Sequence, residues 1–250
     1  VDKLIIVDDG SVDATESIVD RLKDNSPIEI QYLRQPALGL YPARNAGLYA
    51  SVTDYVAFLD DDDVWLPTHV ERMLDLALRY PRAVFLGGLI ARYETGEVIE
   101  PSPRLLEPFK KTGFGIKLLH CQESKDVECL FFAPHLSASI MHVSSAKSIG
   151  FDSNMEMRGD VLIVWELSRK GDILVDERAH AYAKRVAVSL SSGIDVEKQP
   201  YQYHEMRAKA SQWQAYAISR IIGDRPLKSV PRLRDELSKQ LVTRAIHLQS

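Results

Sequence analysis

The chain has 250 residues, 31 Lys and Arg against 35 Asp and Glu, a net charge of −4 and 45% apolar residues. Such a chain is long enough for one large α/β domain or two small ones, and its charge excludes a nucleic-acid binder that works through a broad basic surface. Its two cysteines, Cys121 and Cys129, exclude a disulfide framework and suit a reducing compartment. Together with His120 and His135 they match none of the usual zinc spacings. No stretch approaches the ~18 apolar residues of a membrane span, and the first residues lack a leader pattern, so the chain reads as soluble or peripheral. Val1 opens the sequence almost directly on a strand, and we expect that it is not the natural start.

Residues 3–7, KLIIV, are an apolar run of buried-strand type that ends in Asp8, Asp9 and Gly10. Asp13 and Glu16 have the spacing of a capping box for a helix over 14–22. Carboxylates at such a turn can accept hydrogen bonds from a nucleobase or a ribose hydroxyl, or they can simply cap the turn. Residues 28–33 alternate as a half-buried strand. Pro42 then suits a first helical turn that leaves Arg44 near the positive helix end, with its guanidinium free to pair with phosphate, although an arginine taken by itself is more often a surface salt-bridge residue.

Residues 55–59, YVAFL, run as a buried strand into Asp60, Asp61, Asp62 and Asp63. Four adjacent carboxylates repel one another, so a cation is expected, most simply Mg²⁺ or Mn²⁺ on oxygen ligands. A solvated loop, or Asp63 as cap of the helix that Pro67 opens, is the competing reading. An EF-hand is excluded because Trp65 stands at the sixth position, where Gly is needed.

Residues 68–80 have helical spacing, 83–91 read as a buried strand and 93–99 as its hairpin return. The alternation predicts a mostly parallel, doubly wound α/β sheet flanked by helices. Residues 100–128 break the pattern as an irregular segment of functional length. A strand over 137–143 and a short helix over 144–148 follow. A helix opened by Asp160 ends at Gly171, with Asp160 either its N-cap or a reactive carboxylate. Strands over 173–175 and 179–188 close a domain over 1–191. Helices over 203–222 and 231–248 form a C-terminal extension over 192–250.

Four segments, LIIVDDGSVDAT, GLYPARNAG, FLDDDDVWLP and GFDSNM with the Asp160 helix, occur in one order over 4–191. Together they resemble a family 2 glycosyltransferase of the GT-A fold. The resemblance implies inverting transfer of a sugar from a nucleoside diphosphate sugar to an acceptor hydroxyl. It implies Asp8 and Asp9 at the nucleobase, Arg44 near the nucleotide, and Asp60 and Asp61 at the ribose or diphosphate. Asp60 and Asp62 would hold a divalent metal, Mn²⁺ or Mg²⁺, and Asp160 would be the base. The acceptor would be a glycan, a lipid-linked or another hydroxyl compound, with no nucleic acid partner. The setting implied is cell-surface polysaccharide synthesis in the cytoplasm, with peripheral contact at the inner face of the membrane. The family usually begins one strand and helix earlier, places Glu where this chain has Gly159, and often carries a His where 185–189 has none. A non-catalytic nucleotide-sugar-binding or scaffolding domain is the alternative. A nucleotidyltransferase would need a Gly-rich basic loop for a triphosphate, which the chain lacks.

Overall fold

The computed structural model describes residues 1–94, 97–99, 110–111, 116–119, 135–184 and 200–223. Strand β1 (Lys3–Asp8) pairs in parallel with β2 (Glu29–Arg34) through the crossover helix α1 (Thr15–Asn25). The expected capping box does not form. Asp13 accepts a hydrogen bond from the backbone N–H of Thr15, while Glu16 turns to Arg34, whose Nη1 lies at 2.9 Å. A long-range ion pair has taken the side chain that the local motif would use.

After α2 (Leu40–Ala50) come β3 (Tyr55–Ala57), β4 (Asp63–Trp65), α3 (His69–Arg79) and β5 (Ala83–Glu94). Next are β6 (Glu97–Ile99), β7 (Lys110–Lys111), β8 (Ile116–Leu119), a single 3-10 turn at Leu136–Ala138 and β9 (Ser139–His142). The remaining elements are α4 (Val143–Lys147), α5 (Gly159–Ser168), β10 (Asp172–Lys184) and α6 (Pro200–Ile222). The larger sheet has the order β3-β9-β5-β10-β8-β7, with β4 against β10 and β6 against β5.

This is the α/β architecture that the alternation of elements predicts, but parallel pairing is confined to β1–β2 and β5–β10 among the described strands. Strand β9 inserts between β3 and β5 and runs against both. Element order alone does not disclose the direction in which a later strand enters a sheet.

The large sheet separates two apolar cores. Ile173 and Val175 of β10 face one and Leu174 the other, as the period of two requires. Helix α3 supplies Met73, Leu76 and Ala77 to the second core, while α2 and α5 supply the first with Tyr41, Leu48 and Ile163. The C-terminal helix α6 adds Ala217, Ile218 and Ile221 to the first core and is thus packed on the sheet domain. Among the described residues no helix is long and apolar enough to cross a membrane. Residues 120, 121 and 129, the segment 185–189 and the helix expected over 231–248 lie outside the described residues, as does most of 100–128.

Candidate functional site

Strand β3 ends at Ala57, so the chain has left the sheet before it reaches the aspartates. The N–H of Asp63 donates to the carbonyl of Asp60 at 3.0 Å and closes a tight turn, with Asp61 and Asp62 at its corners. Asp63 then enters β4, whose three residues pair with Ala183, Tyr182 and Ala181 of β10. The reading of Asp63 as a helix cap is therefore corrected, since α3 begins only at His69. A three-residue strand is too short to register as periodicity. Its effect is to place Asp60 and Asp63 together at the base of the turn, with Asp61 exposed and Asp62 half-buried at the tip.

Arg44 Nη2 donates to both oxygens of Asp60, at 2.8 and 2.9 Å. Its guanidinium lies over the rings of Tyr41 and Phe151, 5.6 and 6.0 Å from their centres. The backbone N–H of Asp60 donates to Ser137 Oγ at 3.1 Å, and the Ser137 carbonyl accepts from Trp65 Nε1 at 2.7 Å. Asp63 is buried, with Oδ2 lacking a hydrogen-bond partner among the described residues and 3.5 Å from His135 Nδ1. Burial pushes the pKa of Asp63 above the ordinary carboxylate value, against the Ser137 hydroxyl and His135, which lower it.

Asp160 lies half-buried in the first turn of α5 and is not its N-cap, a position that Arg158 takes in a left-handed conformation at φ +67°. The N–H of Gly159 donates to the hydroxyl of Tyr41 at 2.7 Å. Burial, then the charge of Asp160, pushes the phenol of Tyr41 well above its usual pKa. Tyr41 thereby links the Arg44–Asp60 pair to the start of the Asp160 helix, and both motifs meet on one side of the fold.

Asp8 and Asp9 close β1 on different partners. Asp8 accepts from the Tyr32 hydroxyl and from the Ser11 N–H at 2.7 Å, and these bonds, the Tyr32 one foremost, bring its pKa to about 2. Asp9 accepts from Gln35 Nε2 at 2.7 Å, Leu38 N at 2.9 Å and Gly39 N at 2.7 Å. Burial acts to raise the pKa of Asp9, but these three bonds together outweigh it and hold the group below its ordinary value. They also fix the loop that opens α2, and with it the approach of Tyr41 and Arg44. Tyr41 lies within the GLYPARNAG segment without a role assigned to it there, and Ser137 and His135 belong to no motif of this site. The first two are visible only as ordinary core residues.

Among the described residues, Asp60, Asp63 and His135 place ligand atoms within 4.8 Å of one another, and Asp62 stands outside that group.

A helix-flanked sheet with an acidic turn and a helix-borne aspartate on one side has the GT-A glycosyltransferase architecture, and solved structures of that class share the fold. Residues 1–349 of S. aureus TarS, in complex with UDP-GlcNAc, match with a TM-score of 0.62 at 18% identity, over 96% of this chain and 63% of that one. The mannosyltransferase PcManGT from Pyrobaculum calidifontis, in complex with GDP-Man and Mn²⁺, matches at 0.61 and 15% identity, over 99% and 65%. The Glycosyl transferase family 2 profile matches residues 1–136, more than half of the sequence, and the chain belongs to that family. An uncharacterized glycosyltransferase of Nostoc sp. is 38% identical over 74 residues, 30% of this chain and 23% of the relative. The matched stretch thus spans less than a quarter of that relative's length.

Proposed function

We propose that the chain moves a sugar from a nucleoside diphosphate sugar to an acceptor hydroxyl, with inversion and with a divalent metal at the acidic turn. The observation that supports this reading is the link from Asp60 through Arg44 and Tyr41 to the Gly159 N–H, one residue before Asp160 at the start of α5. Asp8 and Asp9 would face the nucleobase, and Asp60, Asp61 and Arg44 the ribose and diphosphate. Asp60 would hold the metal, with Asp62 as second ligand in the family motif. When bound, such a metal offsets charge developing on the leaving diphosphate. Asp160 takes the acceptor proton as the hydroxyl attacks the anomeric carbon from the opposite face. One carboxylate suffices for that displacement; a covalent intermediate would ask for a second beside it.

The donor complexes of TarS and PcManGT support a nucleotide-sugar donor. The test is Asp160→Asn, assayed by release of nucleoside diphosphate over a panel of donors. Turnover should fall about 10² to 10⁴-fold, with nucleotide affinity and Tm unchanged. Near wild-type turnover would remove Asp160 as base. Nucleotide binding with no turnover by the wild type under any donor and acceptor would favour the scaffolding alternative.

A further inference from the structure

We propose that Asp63 and His135, to which the family resemblance assigns no metal role, complete with Asp60 a metal seat of two carboxylates and one imidazole, selective for a transition-metal ion such as Mn²⁺ over Mg²⁺. The inference deepens the reading of the acidic turn as a cation site and does not depend on sugar transfer.

The first ground is geometric. The Asp60–Asp63 turn brings its first and last carboxylates together, and the 3-10 turn after His135 carries the imidazole to them, with all three ligand atoms within 4.8 Å. The second is an unmet need. Asp63 has a side chain only 3% exposed, yet among the described residues nothing donates a hydrogen bond to its Oδ2. The Nδ1 of His135, buried as an atom, has no hydrogen-bond partner among them either. The two stand 3.5 Å apart, well beyond the ~2.8 Å at which a charge-assisted hydrogen bond closes. Two polar atoms buried without partners are costly, and a shared cation would satisfy both.

The surroundings suit ligands rather than a simple ion pair. Ligating carboxylates are usually hydrogen-bonded in turn. Arg44 supplies that bond to Asp60, and the Ser137 hydroxyl lies against Asp63. With Asp61 and Asp62 nearby, the turn carries four carboxylates, and among the described residues Arg44 is the one Lys or Arg paired to it. The donor set also discriminates among ions. Mg²⁺ and Ca²⁺ prefer all-oxygen shells, whereas an imidazole nitrogen suits Co²⁺ or Zn²⁺ and is accepted by Mn²⁺ more readily than by Mg²⁺.

The test uses Mn²⁺ alone with the full chain, without nucleotide, followed by electron paramagnetic resonance. We expect one bound ion showing hyperfine coupling to an imidazole nitrogen, and no displacement by an equal concentration of Mg²⁺. His135→Asn should abolish the nitrogen coupling and weaken binding by at least about tenfold, since even the loss of a bond behind a ligand costs 10- to 100-fold. His142→Asn, a control outside the seat, should keep both. Asp63→Asn should lose Mn²⁺ binding while its metal-free Tm holds or rises, because it removes a buried charge; a purely structural Asp63 would lower that Tm. The proposal is overturned if Mn²⁺ does not bind at millimolar concentration, if the His135→Asn variant retains the nitrogen coupling, or if Mg²⁺ competes equally. A chain that binds Mn²⁺ this way yet transfers no sugar would refute the catalytic reading and leave the seat standing.

Discussion

The bare backbone of Gly159 and the ring of Tyr41 share one space. A Cβ at position 159 would lie 2.8 Å from both Cε1 and Cζ of Tyr41, so the Glu usual in the family has no room while that ring is in place. Gly159→Ala should force the ring to shift and cost about 1–3 kcal/mol, read as a fall in Tm. In a Tyr41→Ala background the same change should cost markedly less. Equal costs in the two backgrounds would show that the contact is not what demands glycine. His69 makes a second prediction. Burial first, and the neighbouring His180 second, lower its pKa from 6.5 to about 4. The folded state therefore resists a proton that the unfolded chain accepts below about 6.5. Stability should fall as pH drops from about 6.5 to about 4, by about 3 kcal/mol in all, with no further loss from this group below that. Denaturant titrations of wild type and His69→Phe over that window decide it: the variant should show a slope smaller by about one proton.

Among the elements, β4 is the least visible and the most consequential. Three residues long, it is fixed by what surrounds it: Leu66 N–H donates to the His180 carbonyl at 2.9 Å, and the Trp65 ring lies 4.9 Å from that of His69. His69 Nδ1 and His180 Nδ1 lie 3.2 Å apart, and His180 Nε2 faces Asp176, itself paired with Arg72. This buried polar row joins α3 to β10, directly behind the strand that delivers Asp63. It leaves its mark on β5, where a Cβ at Gly88 would lie 2.1 Å from His180 Cδ2. Gly88→Ala should destabilise by about 1–3 kcal/mol or more, and His180→Ala should relieve most of that loss. Thermal denaturation of the two single variants and the double variant checks it, and additive losses would count against the contact.

At the scale of the whole molecule, the two sheets differ in their support. β1 and β2 form a two-stranded sheet, a unit marginal by itself, with Leu4 exposed. β5 and β10 lie in the middle of the larger sheet, with Phe85, Leu86, Ile173 and Val175 fully buried. Amide exchange should therefore be slowest in β5 and β10 and faster by an order of magnitude or more in β1 and β2. Equal protection would mean that the two sheets open as one unit. Helix α6 belongs to the slower part, since Ile218 is fully buried in the first core.

The sequence by itself determined the kind of fold and marked the acidic turn and the Asp160 helix as the candidates for its chemistry. Apolar runs that end in carboxylates, and helical spacings between them, mark β1, β5, α3 and α5 to within a few residues, because burial imposes a period that survives in the residues themselves. Motif order was also legible, and with it the family. Only the tertiary structure decided which carboxylates converge. Asp60 and Asp62 look paired along the chain, but the turn hydrogen bond and β4 bring Asp63 back to Asp60 instead, and His135 joins them from 72 residues beyond Asp63. Tyr41 at Gly159 and His180 at Gly88 are likewise contacts between segments far apart in sequence. Such contacts follow from packing and strand direction, which local periodicity does not encode.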